Sequence, residues 1–266
     1  MRRLWFLYLA FAVALLSGCA TTSQQSPRLS ADQLKSLGEK ALSANDTGAS
    51  LRFLTEAERE RPHDAGIEYD LALAYNQRGF KDQALQHIKK ALEIKPDYPE
   101  ALNTIGYMYA VNGQFDLAKD SFTKALNDPF YQTPQIPAYN LGRLYEDRGD
   151  YTNALAYYRQ AVKLAPGYAQ AWYEIGRVLE RTGKNDEARN AYEKAVQESS
   201  DMPQAWLRLG IMSYRAGDFK SAAGAFGQVQ RAAPGSALAN EAQKYLQKIN
   251  TPAWQHLRDR RKRKSS

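Results

Sequence analysis

Ala138-Tyr139-Asn140-Leu141-Gly142-Arg143-Leu144-Tyr145-Glu146-Asp147-Arg148-Gly149, continued by Ala154, Tyr158, Ala161 and Pro166, is the stretch whose reading decides the fold. Arg148-Gly149 supplies the glycine that a helix C-terminus takes when the chain must leave it with φ > 0, so the stretch predicts two helices joined by a tight turn. The same pattern returns every 34 residues. It reads Leu37-Gly38, Ala41, Leu54, Ala57, Pro62 in residues 31–64, and Leu71-Ala72, Tyr75, Ala84, Ile88, Ala91, Pro96 in 65–98. Residues 99–134 carry Ile105-Gly106, Tyr109, Ala118, Phe122, Ala125, and 135–168 are the stretch already quoted. Trp172, Ile175-Gly176, Leu179, Ala188, Tyr192, Ala195 stand in 169–202, and Trp206, Leu209-Gly210, Ala222, Phe226, Pro234 in 203–236. Turn glycines recur at Gly79, Gly113, Gly183 and Gly217. A last amphipathic segment, 236–249, predicts a helix that covers the exposed core of the sixth pair.

The residue types have a packing reason. A small residue at the eighth place of each repeat lets two helices approach closely, and a large residue fills the space left beside it. The period and these places resemble the tetratricopeptide repeat. The resemblance implies an all-α, right-handed α-solenoid of six repeats plus a C-terminal capping helix over 31–250. It also implies that the first helices line a concave groove, with the second, fifth, ninth and twelfth places facing inward. The fifth and ninth places hold Tyr69 and Leu73, Asn103 and Tyr107, Tyr139 and Arg143, Tyr173 and Arg177, Leu207 and Ile211. Tyrosine and arginine are enriched at binding hot spots because each joins a large contact area to a polar end. Two arginines one repeat apart, each near a tyrosine, could grip a segment carrying a carboxylate. The alternative is that the tyrosines pack between helices and the arginines pair with Glu146, Glu174 or Glu180. The lysine and asparagine pairing of repeat clamps for chaperone C-termini is not present, so that function is not carried over.

Composition is that of a globular chain, 44% hydrophobic and 24% charged. The net charge of +7 lies at the two ends. Arg2 and Arg3, and the six bases against Asp259 between Arg258 and Lys264, carry all of it, so nucleic-acid binding by the repeats is not expected. After Met1-Arg2-Arg3 an uncharged apolar run extends from Leu4 to Leu16, too short to span a bilayer as a helix and suited to an export signal. It closes on Leu16-Ser17-Gly18-Cys19, which resembles the lipobox of bacterial lipoproteins. The expectation is a signal peptide over 1–18, lipidation at Cys19 and a Ser/Thr/Gln-rich tether over 19–30. Ala20 after the cysteine implies outer-membrane sorting, on the periplasmic face. Residues 251–266 are expected to be a basic disordered tail.

Little is left for chemistry. Cys19 is the single cysteine, and His63, His87 and His256 stand at no metal-ligand spacing, reading as surface or turn histidines. No phosphate loop, nucleophile elbow or paired carboxylates appear, so no metal, cofactor or catalytic residue is expected and the chain is not read as an enzyme.

One joint breaks the period. Between the third and fourth repeats the spacing rises to 36, and the connector runs Asp128-Pro129-Phe130-Tyr131-Gln132-Thr133-Pro134-Gln135-Ile136-Pro137. Its prolines stiffen the loop, while Phe130 and Tyr131 either offer apolar contact to a partner or cover the widened joint. With its flanks Ala125-Leu126-Asn127 and Ala138-Tyr139-Asn140-Leu141-Gly142, it resembles the middle of the type IV pilus biogenesis and stability lipoproteins of the PilF/PilW type. That resemblance implies a lipid-anchored scaffold that binds the pilus secretin and aids its localisation and multimerisation. An adaptor for peptidoglycan synthases or hydrolases is the alternative.

Overall fold

The computed structural model describes residues 28–250; Cys19, the signal segment and the basic tail lie outside the described residues. Among the described residues all regular structure is helical. They fall into two compact units that divide between His63 and Asp64.

The first unit is one antiparallel pair, α1 (Ala31–Ser43) and α2 (Thr47–Glu60). Ser30 and Gln33 form a reciprocal capping box at the start of α1, the Gln33 Oε1 accepting from the Ser30 amide at 2.9 Å. Asn45, at φ 62°, takes the left-handed turn position that glycine fills in the later repeats. Arg61 closes the unit by forking onto both carboxylate oxygens of Asp32 at 2.9 and 3.0 Å.

The second unit holds five pairs and a final helix: α3 (Ala65–Gln77) and α4 (Lys81–Ile94), α5 (Pro99–Val111) and α6 (Phe115–Asn127), α7 (Gln135–Asp147) and α8 (Tyr151–Leu164), α9 (Ala169–Arg181) and α10 (Asn185–Glu198), α11 (Pro203–Arg215) and α12 (Phe219–Ala232), then α13 (Ala237–Ile249). Each helix packs most extensively on its own partner and then on the next helix in sequence, the contact pattern of a solenoid. The pair turns pass through Gly79, Gly113, Gly149, Gly183 and Gly217 at φ between 72° and 80°, a region where a side chain is strained.

Within pairs the eighth place works as expected. A Cβ built on Gly142 would lie 2.5 Å from the ring of Tyr158; on Gly106, Gly176 and Gly210 it would lie 2.6–2.8 Å from Phe122, Tyr192 and Phe226. In the second repeat the plug is the smaller Ile88, and Ala72 occupies the eighth place, both fully buried. From Ala138 to Ala242 these contacts merge into one core cluster. Helix α13 finishes it: the Tyr245 ring stacks on Phe226 at 5.0 Å and meets Tyr214 edge-on at 5.3 Å.

Replacing Gly142 with alanine raises intrinsic helix stability by about 0.5–1 kcal/mol but forces a methyl into the Tyr158 ring, an overpacking cost of about 1–3 kcal/mol. The expected net result is a less stable protein in urea denaturation. The cost of Gly142→Ala should be smaller in a Tyr158→Ile background, which copies Ala72 and Ile88; an equal cost in both backgrounds would show that ring contact is not the cause.

Candidate functional site: the first-helix face of the second unit

The fifth-place tyrosines are mortar more than handles. Tyr69 packs its ring 5.2 Å from Tyr98 at the end of the same repeat, and Tyr139 repeats the contact with Tyr168 at 5.3 Å. Tyr139 also meets the plug Tyr158 at 5.6 Å, and Tyr173 meets the plug Tyr192 at 5.8 Å. Burial raises the hydroxyl pKa of Tyr69 and Tyr173, and that of Tyr139 to about 12, helped there by the Glu174 carboxylate. Asn103 is engaged as well, accepting a hydrogen bond from Asn140 Nδ2 at 2.9 Å across the joint.

Arg177 is held from two sides. It donates to Glu174 Oε2 at 2.5 Å on its own helix and to Glu146 Oε1 at 3.1 Å on α7. Burial works against its charge, but the two carboxylates outweigh that and raise its pKa. Arginine–glutamate pairing, the alternative reading of the sequence, therefore holds for Arg177. Arg143 is different: it is exposed and has no carboxylate within 4.0 Å among the described residues.

Two expected groove residues are corrected. Leu207 and Ile211 are only 4% and 3% exposed and belong to the continuous core. In this last repeat α13 packs on both α11 and α12, and Leu238, Tyr245, Leu246 and Ile249 lie against the same cluster. The connector divides in the same way. Tyr131 is 8% exposed and packs with Leu102 and Ala125, whereas Phe130 is 83% exposed. The Phe130 amide donates to Asp128 Oδ1 at 2.8 Å and its carbonyl accepts from Gln132 Nε2 at 2.9 Å, which fixes the loop while its ring projects. His87 is not a surface histidine: its ring stacks on Tyr75 at 5.1 Å, with Nδ1 2.6 Å from Glu68 Oε2.

The open part of the face centres on α5. A cavity of about 300 Å³ lies between α3, α4 and α5, lined by Asn76, Leu85, Tyr107, Met108 and Val111 among others. A smaller one of about 100 Å³ adjoins it on the α7 side, where Tyr107 and Val111 reappear beside Arg143 and Leu144. Tyr107 is 49% and Val111 56% exposed. Leu73, on α3, is half-buried.

Glutamates at the twelfth place, on the face expected to turn inward, organise repeats four and five. Glu146 Oε2 accepts from the buried Tyr158 hydroxyl at 2.9 Å, and Glu180 Oε2 accepts from Tyr192 at 3.0 Å. Where the plug is phenylalanine, at Phe122 and Phe226, the place of these glutamates holds Ala110 and Tyr214. A buried phenol needs an acceptor, so the pairing of a tyrosine plug with glutamate at the twelfth place is a signal the sequence already carries.

The class defined by this architecture is a repeat scaffold, and four matches to the tetratricopeptide repeat model, over residues 36–99, 69–132, 139–203 and 176–237, span most of the chain. The chain belongs to the tetratricopeptide repeat family. It is 31% identical over 100 residues to small glutamine-rich tetratricopeptide repeat-containing protein 2 of Mycosarcoma maydis, a match that covers 37% of this chain and only 28% of that relative. In fold it is similar to PilF of Pseudomonas aeruginosa, with a TM-score of 0.72 and 21% identity over 80% of this chain and 96% of that one. PilW, a widely conserved type IV pilus biogenesis factor, superposes with a TM-score of 0.70 and 22% identity over 79% and 96%. YrrB, a repeat protein with an unusual peptide-binding site, gives 0.54 and 25% over 72% and 97%.

The tyrosine–glutamate pairs can be tested by removing either partner. Glu146→Ala strands the Tyr158 hydroxyl and should cost about 1–3 kcal/mol, while Tyr158→Phe should cost only about 0.5–1.5 kcal/mol, measured by urea denaturation. At the alkaline end, burial first and then the paired glutamates raise the hydroxyl pKa of Tyr158 and Tyr192 well above the ordinary 10.0. A raised folded pKa means the folded state holds its proton longer, so this stabilisation is complete below pH 10 and declines as pH rises above it. Stability measured against pH should fall above pH 10, and less steeply in the Tyr158→Phe/Tyr192→Phe variant.

Proposed function

We propose that the chain is a lipid-anchored outer-membrane scaffold of type IV pilus biogenesis that holds a segment of the pilus secretin and aids its multimerisation. The observation that carries the proposal is the superposition on PilF and PilW, each covered over 96% of its length. The stiffened connector that presents Phe130 supports it. In this reading the chain acts by binding rather than catalysis. Tyr107, Val111 and Arg143 form the contact surface on the first-helix face, with Phe130 as a second, rigid contact. Tyr69, Tyr139 and Tyr173 are committed to packing within their own repeats. Exposed aromatic groups beside recesses of mixed polar and apolar lining are what a partner segment can use at low ordering cost.

Acylation at Cys19, which lies outside the described residues, would confine the scaffold to the membrane in which the secretin assembles. Confinement raises the effective concentration of partner without any new contact.

Deleting the gene and running outer-membrane extracts on denaturing gels tests the reading. Secretin multimers should be lost, restored by the wild-type chain, and not restored by Cys19→Ala or by Tyr107→Ala/Val111→Ser. Normal multimers in the deletion strain would discard the secretin role in favour of the peptidoglycan adaptor.

A further inference from the structure

Four arginines meet at the far end of the first-helix face. Arg177 and Arg181 of α9 and Arg208 and Arg215 of α11 line, with Glu180, an open recess of about 460 Å³. Their charges are unevenly matched. Arg177 is engaged by Glu174 and Glu146. Arg215 and Arg208 share Glu180 Oε1, at 3.1 and 3.8 Å. Arg181 lies over the Tyr151 ring at 5.1 Å and has no carboxylate within 4.0 Å among the described residues. Three guanidinium groups therefore stand against one carboxylate, and Arg208 and Arg215 are 44% and 56% exposed.

The cluster is built rather than scattered. The buried Tyr192 hydroxyl fixes Glu180 from behind, and Glu180 in turn orients Arg208 and Arg215. Such pre-positioning lowers the ordering cost of each new hydrogen bond to a ligand. The cluster also ends a gradient: the net charge of the first helices runs from −2 on α3 through −1 on α5 and α7 and 0 on α9 to +2 on α11.

We infer that Arg181, Arg208 and Arg215 form a binding site for an acidic peptide segment, whose side-chain carboxylates supply the counter-charge that Glu180 alone does not. Planar guanidinium forks match carboxylates two bonds at a time. The recess favours a peptide over a membrane, because a flat array of headgroups cannot follow arginines into a concave site that also contains glutamate. The site rests on the reading of this face as a groove for a protein segment, and it gives that segment a direction, acidic end toward α11.

The test measures fluorescence anisotropy of a labelled peptide of about twelve residues alternating Glu and Ala, with its Gln counterpart, against the purified full-length mature chain. The acidic peptide should bind at least about tenfold more tightly than the Gln peptide, and Arg181→Gln/Arg208→Gln/Arg215→Gln should weaken it by about tenfold. Wild type and variant share the basic tail, so their difference reads the recess alone. Arg181→Gln by itself leaves the Glu180 pairs intact, and a loss of about two- to threefold with an unchanged melting curve is expected; it decides the matter if the triple variant unfolds. Equal affinity of wild type and folded variant for the acidic peptide would overturn the site. So would a variant that loses binding to phosphatidylglycerol vesicles while keeping the peptide. No secretin is present in the assay, so its failure leaves the pilus reading standing, and normal secretin multimers in a deletion strain leave this site standing.

Discussion

A ring pressed onto a helix backbone where a side chain is missing is the contact on which the second unit depends. Tyr158 on Gly142, Tyr192 on Gly176, Phe122 on Gly106 and Phe226 on Gly210 bring the two helices of a pair together closely enough that even a methyl would collide with the plug. Repeat two reaches the same closure with Ala72 and Ile88, trading volume from one side of the contact to the other. Close-packed interiors tolerate that exchange when total volume is kept. They do not tolerate a polar atom left unpaired, and the choice of tyrosine as plug brings one in. Glu146 and Glu180 answer that need, and having been placed to accept from a phenol they also hold arginines of the next repeat, Glu146 one (Arg177) and Glu180 two (Arg208 and Arg215). A steric constraint inside one repeat thus fixes the charge pattern on the face of its neighbour.

The same logic separates structural from available residues on that face. Tyr69 and Tyr139 meet the tyrosine that ends their own repeat, and Tyr139 and Tyr173 meet a plug, so their rings are committed before any partner arrives. The third repeat has Asn103 at this place, and its ninth place, Tyr107, is left half exposed with Val111 one turn further on. The two cavities flank those two side chains. Interruption of the tyrosine series and the opening of the surface coincide at α5, next to the joint where the repeat spacing widens.

The helix pairs are legible in the sequence because their determinants are local: a 34-residue period, a small residue at the eighth place and a turn glycine are visible without knowing what lies across the molecule. The face is legible only in part. Pairing of Arg177 with glutamate can be read, since its partners stand at fixed steps in the repeat, three residues and 31 residues back. Leu207 and Ile211 mislead because exposure at a given place depends on the neighbouring element, and the sixth repeat is succeeded by α13 instead of a seventh repeat. Phe130 and Tyr131, adjacent and alike in chemistry, part company through a turn that Asp128 and Gln132 impose. Their opposite exposures, 83% and 8%, come from that backbone path and are not encoded in residue type.

A scaffold of this kind gains more from where its charges sit than from how many it has. Outside its two ends the chain is balanced, yet its first helices pass from acidic α3 to basic α11, with the opening at α5, where Tyr107 and Val111 are exposed, between them. Apolar recesses supply affinity but little direction, because a leucine or phenylalanine can enter with the chain running either way. A charge gradient supplies the direction, since reversing a polar segment sets like charges against each other. The two properties arise from separate residues held by one packing device. Tyr192 seats against Gly176, Glu180 seats against Tyr192, and the arginines of α11 seat against Glu180. Loosening the first contact would therefore blur the last, which makes the rigidity of the repeat part of its specificity.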